Sequence, residues 1–248
     1  PLEERMCMTN VQTRDSIPIV DMSNPDDPEI VNYDVPAEVL ENVKDATYKF
    51  FGLPAEVRNK YSKELSSSNN VRFGTSFTPQ AEKAIEWKNY LSLIIVDGVD
   101  EANLNYYPKC PNPELTVGVD RHSDASTLMI LLQGEIGGLF VRGNDGDNWI
   151  HVPPIKGSLV INVGDALQII SNGKYRSVKH RMVANGSKNR ISVPIFVNPR
   201  PIDMIGPFPE LIENGEKPIY KQVLYSDYVK HFFCKARDGK KTVVFAEL

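Results

Sequence analysis

The sequence holds no apolar run approaching the roughly 20 residues that a membrane-spanning helix needs. It has no strong excess of either charge: 28 Lys and Arg stand against 32 Asp and Glu, a formal net charge of −4. Without a basic field it offers nucleic acid no electrostatic footing, so neither nucleic acid nor a membrane is expected as a partner. Cysteine is scarce. Cys7, Cys110 and Cys234 are far apart and odd in number, which argues against a disulfide framework and for reduced thiols in the cytoplasm. Pro1-Leu-Glu-Glu-Arg5 has neither an initiator Met nor a signal-peptide pattern, so the chain is expected to start inside a longer protein. There is no internal repeat and no low-complexity segment. Histidine is scarce too, with four residues, so the position of each one is informative.

A chain of 248 residues is long enough to bury one sizeable core. Its texture changes along its length. Residues 1–102 mix strand and helix. Residues 16–20 fit a short strand. From Pro36 the apolar positions Val39, Leu40, Val43, Ala46, Thr47 and Phe50 recur with helical spacing until Gly52-Leu53-Pro54 breaks it. A second short helix is expected at 55–61, an extended stretch at 70–77, a short helix at 80–88 and a strand at 90–95. Residues 103–199 carry short β-rich runs separated by turn signals at a spacing of roughly 8–12 residues, the pattern of an antiparallel sandwich or jelly roll. Strands are expected at 103–107, 116–119, 127–133, 139–142, 149–152, 158–163, 178–184 and 191–197. Residues 200–248 form a proline-rich linker and a helix around 225–233. The predicted fold is thus mixed α and β: a jelly-roll core with flanking helices.

The chemistry lies in His122-Ser-Asp124, His180 and Arg190-Ile-Ser192. A His-x-Asp pair with one distant His is a ligand set for a non-haem Fe(II) with three open positions. Residues two apart on a strand share a face, so His122 and Asp124 can point together at one mouth of the roll, and so can Arg190 and Ser192. A guanidinium and a hydroxyl there would hold the far carboxylate of a dicarboxylate co-substrate. The set therefore suggests an oxygen-activating enzyme that uses Fe(II), O2 and 2-oxoglutarate. Taken singly, each piece has a plainer reading: His-x-Asp as a turn, Arg190 as a surface charge. His151 and His231 have no acid at ligand spacing and are assigned to structure. The reading from another class is a non-catalytic jelly-roll protein holding a metal such as Zn2+. Arg190 and Ser192 argue against it, because a pure binder needs no such clamp.

The run Asn105-Tyr-Tyr-Pro-Lys-Cys-Pro-Asn-Pro113, followed by Arg121-His-Ser-Asp124, Gly137-Gly-Leu139, His180-Arg181 and Arg190-Ile-Ser-Val-Pro194, resembles the plant 2-oxoglutarate- and Fe(II)-dependent dioxygenases. Within that family Val71-Arg-Phe-Gly-Thr-Ser-Phe77, Glu86-Trp-Lys-Asn-Tyr-Leu-Ser92 and Leu224-Tyr-Ser-Asp-Tyr-Val-Lys230 look most like the feruloyl-CoA and p-coumaroyl-CoA ortho-hydroxylases of coumarin biosynthesis. The resemblance implies a double-stranded β-helix core. It implies iron on His122, Asp124 and His180, and 2-oxoglutarate on Arg190 and Ser192, with Tyr107 and Asn105 reaching it from the opposite strand. It also implies a monomer helped by ascorbate. The implied substrate is an aromatic acyl-CoA, oxygenated ortho to its side chain, which then lactonises to a coumarin such as scopoletin. The same chemistry on a flavonoid or another phenylpropanoid is the alternative.

Phe73, Phe77 and Phe196 are candidates for an apolar substrate pocket. Lys235, Arg237, Lys240 and Lys241 either meet CoA phosphates or form a solvated basic tail. Two departures from the family pattern stand out. Asp120 occupies a position where close relatives carry Gly, and is either an extra carboxylate near the iron or an exposed turn residue. The family also carries one segment between its first strand and the helix near Val39, and a long helical region before Asn105. Here Ile30-Val-Asn-Tyr-Asp34 and Asp97-Gly-Val-Asp-Glu-Ala102 run straight through.

Overall fold

The computed structural model describes residues 11–12, 35–68, 70–75, 86–95, 100–143, 148–213, 215, 217–234 and 242–248. The strand expected at 16–20 lies outside them, as do Cys7, Phe77 and the basic residues Lys235, Arg237, Lys240 and Lys241. Two antiparallel sheets face each other. The first is ordered β1 (Val11–Gln12), β8 (Trp149–Val152), β7 (Leu139–Arg142), β10 (His180–Val183), β5 (Val117–His122), with β1 joined in parallel. The second is ordered β2 (Val71–Thr75), β3 (Asn89–Ile95), β4 (Asp100–Tyr107), β11 (Arg190–Val197), β6 (Leu128–Gln133), β9 (Leu159–Val163). A small pair, β12 (Met204–Ile205) and β13 (Val223–Leu224), lies apart.

Alternation along the strands builds the core between the sheets. Tyr107, Met129 and Leu131 of the second sheet pack against Val119, Leu139, Val152 and Met182 of the first. On β6, Met129 and Leu131 face inward, while Leu132 faces the opposite side and packs with Leu40 and Val193. Both faces of this strand are covered, so it reads as a near-continuous apolar run. The outer cover is α1 (Ala37–Phe51), which follows Pro36 and buries Leu40, Lys44, Thr47 and Phe51. Each fully buried aliphatic or aromatic side chain there contributes roughly 1.5–3 kcal/mol. Its buried stripe is rotated from the expected one, leaving Val39 at 42% exposure. A five-residue α2 (Ala55–Asn59) follows Pro54.

Near the expected helix at 80–88, Glu86 bridges to Val117 and the Trp87 N–H donates to the Val117 carbonyl, so this end of the stretch is extended. Residues before 103 also do more than pack on the core: β2 and β3 extend its second sheet.

The sequence reading did not anticipate α3 (Asp165–Ile170), α4 (Pro209–Glu213) or the 3-10 turn at Thr242–Ala246. Of these, α3 and the 3-10 turn join α5 (Tyr225–Cys234) in a second cluster in which Ala166, Ile169, Tyr228 and Ala246 are fully buried. The start of α3 is pressed onto the loop that follows β5. The N–H groups of Asp165 and Ala166 donate to the carbonyls of Asp124 (2.7 Å) and Ser126 (3.2 Å). Donors that a helix end leaves without partners are thereby satisfied. A Cβ on Gly164 would stand 1.9 Å from the Ser126 carbonyl oxygen, so only glycine fits. Gly164→Ala is therefore expected to cost about 3 kcal/mol, the upper end of overpacking penalties. Denaturant unfolding measures it, and a cost below about 1 kcal/mol would contradict this packing.

Candidate metal and co-substrate site

His122 ends β5 and His180 opens β10, and the two are direct partners in the antiparallel ladder. Their rings therefore lie side by side, with centroids 4.2 Å apart. Asp124 sits two residues past the end of β5. One of its carboxylate oxygens is 3.8 Å from His122 Nε2 and the other 3.7 Å from His180 Nε2. The three ligand atoms lie within 4.8 Å of one another. Asp124 and His180 are buried. The Nδ1 of His122 lies 2.6 Å from the Asp120 carbonyl oxygen, which can only accept, so Nδ1 carries the hydrogen and the Nε2 lone pair faces the cluster. Two imidazole nitrogens and one carboxylate oxygen converging in this way fit a divalent iron.

Arg190 opens β11, one strand over from Tyr107, with which it pairs. It is fully buried, and its Nε, Nη1 and Nη2 make no hydrogen bond of good geometry to a described residue, leaving the nearby Tyr107 side chain as a loose partner. Its guanidinium lies 4.8 Å over the Tyr107 ring. Burial pulls the Arg190 pKa below its usual value, and the neighbouring Tyr107 pushes it back up. A buried cation without well-placed acceptors is costly, and a carboxylate meeting it with two parallel hydrogen bonds would offset that cost. Two residues further along the ladder, on the same face, Asn105, Ser192 and Gln133 stand side by side on three adjacent strands, all buried. Tyr107, Asn105, Arg190 and Ser192 thus form one polar strip on the inner face of the second sheet.

Three other expectations have definite outcomes. Asp120 lies within β5 and is half-buried rather than an exposed turn residue. Its side chain accepts from the Arg121 N–H, and its carbonyl orients His122. Phe73 belongs to the outer face, packed with Phe51 and Leu91 beneath α1, so the structure does not bring it to the ligand set. Phe196 packs against the inner core. His151 lies tilted against Phe140 and His231 stacks on Phe245, at 5.1 and 4.6 Å between centroids.

Sequence reading passed over two buried polar residues. Asn162 on β9 donates to the Asp124 carboxylate at 2.8 Å. Asp165 accepts hydrogen bonds from Ser123, Tyr228 and Thr242 on a single oxygen, tying the ligand loop to α5 and the C-terminal turn. Burial raises its pKa, against those hydrogen bonds. A lone Asn inside the apolar run Leu159–Val163 and a Gly-Asp step after it were the available signals. Among the described residues no helix is long and apolar enough to cross a membrane.

Comparison with known proteins agrees with this geometry. A family model for the 2OG-Fe(II) oxygenase superfamily matches residues 102–199, and one for the N-terminal region of the non-haem dioxygenase in morphine synthesis matches residues 28–113. A feruloyl CoA ortho-hydroxylase of Ipomoea batatas is 54% identical, over 100% of this chain and 88% of the relative. A bi-functional coumaroyl CoA and feruloyl CoA ortho-hydroxylase of Ruta graveolens is 50% identical, over 99% of this chain and 86% of the relative. The Ipomoea alignment spans 317 positions against 248 residues in the chain, so that relative carries residues inside the matched span that have no counterpart here. Among solved structures, JOX2 in complex with 2OG, Fe and JA superposes with a TM-score of 0.78 at 25% identity, covering 88% of this chain and 81% of that one. The dioxygenase for auxin oxidation in rice superposes at 0.71 with 19% identity, covering 88% and 89%, a likeness of fold. The chain belongs to the 2OG-Fe(II) oxygenase superfamily and is a 2-oxoglutarate-dependent dioxygenase, related at high identity to plant feruloyl CoA ortho-hydroxylases.

Proposed function

We propose that the protein hydroxylates the ring of a hydroxycinnamoyl-CoA, feruloyl-CoA or p-coumaroyl-CoA, at the carbon ortho to the side chain, leading to coumarins such as scopoletin. His122, Asp124 and His180 hold Fe(II), and Arg190 and Ser192, with Tyr107 and Asn105, hold 2-oxoglutarate. The observation that carries the site is a buried guanidinium lacking well-placed acceptors among the described residues, on the sheet that faces the His–Asp–His cluster. The substrate rests on the 54% identity to a feruloyl CoA ortho-hydroxylase. Residues 103–199 contain every one of these side chains and form the catalytic core. The free thiols Cys110 and Cys234 suit a cytosolic setting.

Bound at this cluster, Fe(II) supplies the coupling of 2-oxoglutarate decarboxylation by O2 to oxygen insertion into the arene. The chain's residues supply orientation. The Asp120 carbonyl holds the His122 tautomer, so Nε2 remains a ligand without losing a proton. The planar Arg190 fork fixes which end of the dicarboxylate lies away from the cluster. Packing between the sheets keeps water from the Arg190 end, where a charge-assisted pair is strongest. Phe196 offers an apolar wall to the ring.

A substrate panel with Fe(II), ascorbate and 2-oxoglutarate tests the assignment. Feruloyl-CoA and p-coumaroyl-CoA are expected to turn over, giving scopoletin and umbelliferone by liquid chromatography, while the free acids remain inert. CoA is a large remote body whose binding energy can orient the ring, and it is the leaving group on lactonisation. Inert thioesters beside a hydroxylated flavonoid or free acid would sink the substrate assignment and leave the iron and 2-oxoglutarate assignments standing.

A further inference from the structure

We infer that Asn162 is a positioning residue of the metal site: its side-chain amide holds the Asp124 carboxylate in the place and plane at which the two histidines meet it. The inference rests on reading Asp124 as an iron ligand. His122 and His180 are strand residues of the first sheet, fixed by ladder pairing. Asp124 is not. It lies on the loop that crosses from β5 in the first sheet to β6 in the second, so strand pairing does not set its side-chain rotation. Among the described residues two hydrogen bonds hold it instead. Its backbone carbonyl accepts from the Asp165 N–H at 2.7 Å, and its Oδ2 accepts from Asn162 Nδ2 at 2.8 Å. Only the second acts on the carboxylate itself.

Asn162 reaches it from the facing sheet. It pairs with Met129, whose side chain lies in the core between the sheets, so both residues point inward. Asn162 and Asp124 are both buried, at 7% and 6% exposure. An amide suits this task better than the alternatives. It donates to an ionised oxygen, a bond roughly twice as strong as a neutral one. Being neutral, it does not cancel the negative charge that the cation needs, as a lysine would. A second carboxylate there would repel Asp124. A leucine of similar volume would fill the space and leave the carboxylate unheld. Groups behind a ligand typically change metal affinity 10–100-fold when removed.

The test is Co(II) binding to the metal-free protein, followed by calorimetry together with the melting temperature. Asn162→Leu and Asn162→Ala are each expected to weaken Co(II) binding by roughly 10–100-fold. At saturating Fe(II) the KM for 2-oxoglutarate should stay near wild type. Val160→Ala, on the same strand and packed against the same core, is the control: it loses packing but no hydrogen bond, and should bind Co(II) as wild type does. Wild-type Co(II) affinity in either Asn162 variant overturns the inference. So does a failure of both variants to fold, since that makes Asn162 a residue of the fold rather than of the site. Asp124→Ala separates the inference from its premise. If that variant binds Co(II) like wild type, Asp124 is not a ligand and the underlying reading falls first.

Discussion

His180→Ala abolishes hydroxylation and weakens Fe(II) binding by more than the roughly 100-fold that changes behind the ligands reach. The reason is geometric. His180 pairs directly with His122 and meets Asp124 at 3.7 Å, and no other described His, Cys, Asp or Glu joins this cluster. Two ligands cannot hold the cation against water as three do. The fold should survive, because His180 opens its strand and the ladder continues through Met182. Circular dichroism close to wild type, with metal affinity lost in titration, is the expected pair of results. Near-normal turnover in this variant would remove His180 from the site.

Arg190→Met acts on the co-substrate instead. Its charge is fully buried, and its nitrogens have no well-placed acceptor among the described residues. In the variant, the far carboxylate of 2-oxoglutarate would be buried without a partner, which costs about 2–5 kcal/mol in comparable truncations. Apparent affinity for 2-oxoglutarate should fall by roughly 30-fold or more. The opposite sign is expected for the protein without co-substrate. Replacing a poorly compensated buried cation by an apolar side chain of similar length is neutral or stabilising, so the melting temperature should hold or rise. An unchanged KM for 2-oxoglutarate would remove Arg190 from the clamp. A large fall in melting temperature without co-substrate would make it a structural residue.

Where sequence reading succeeded, the signal was alternation with period two between clear turn residues. Leu139–Arg142 and Trp149–Val152 emerge as strands within the expected bounds. Arg190 and Ser192 share a face as expected because both lie on β11, whereas Asp124 meets His122 from the loop beyond β5. What alternation does not tell is which face points inward. Phe73 was expected near the substrate, yet it packs under α1, because β2 turns that side outward. Asp165–Ile170 escaped notice because six residues are under two turns, too short to show a helical period, and they follow an apolar strand directly. Asn162 escaped because one polar residue in an apolar strand reads as a solvent-facing position until the opposite sheet is in place. The partner that gives it meaning is 38 residues away.

The most direct test of the whole account is the stoichiometry of succinate and coumarin. Purified protein is given Fe(II), 2-oxoglutarate, O2 and feruloyl-CoA, and both products are quantified over time. The account predicts that succinate release depends on the thioester and matches scopoletin one for one. Succinate formed at the same rate without feruloyl-CoA, or scopoletin formed without 2-oxoglutarate, would contradict it.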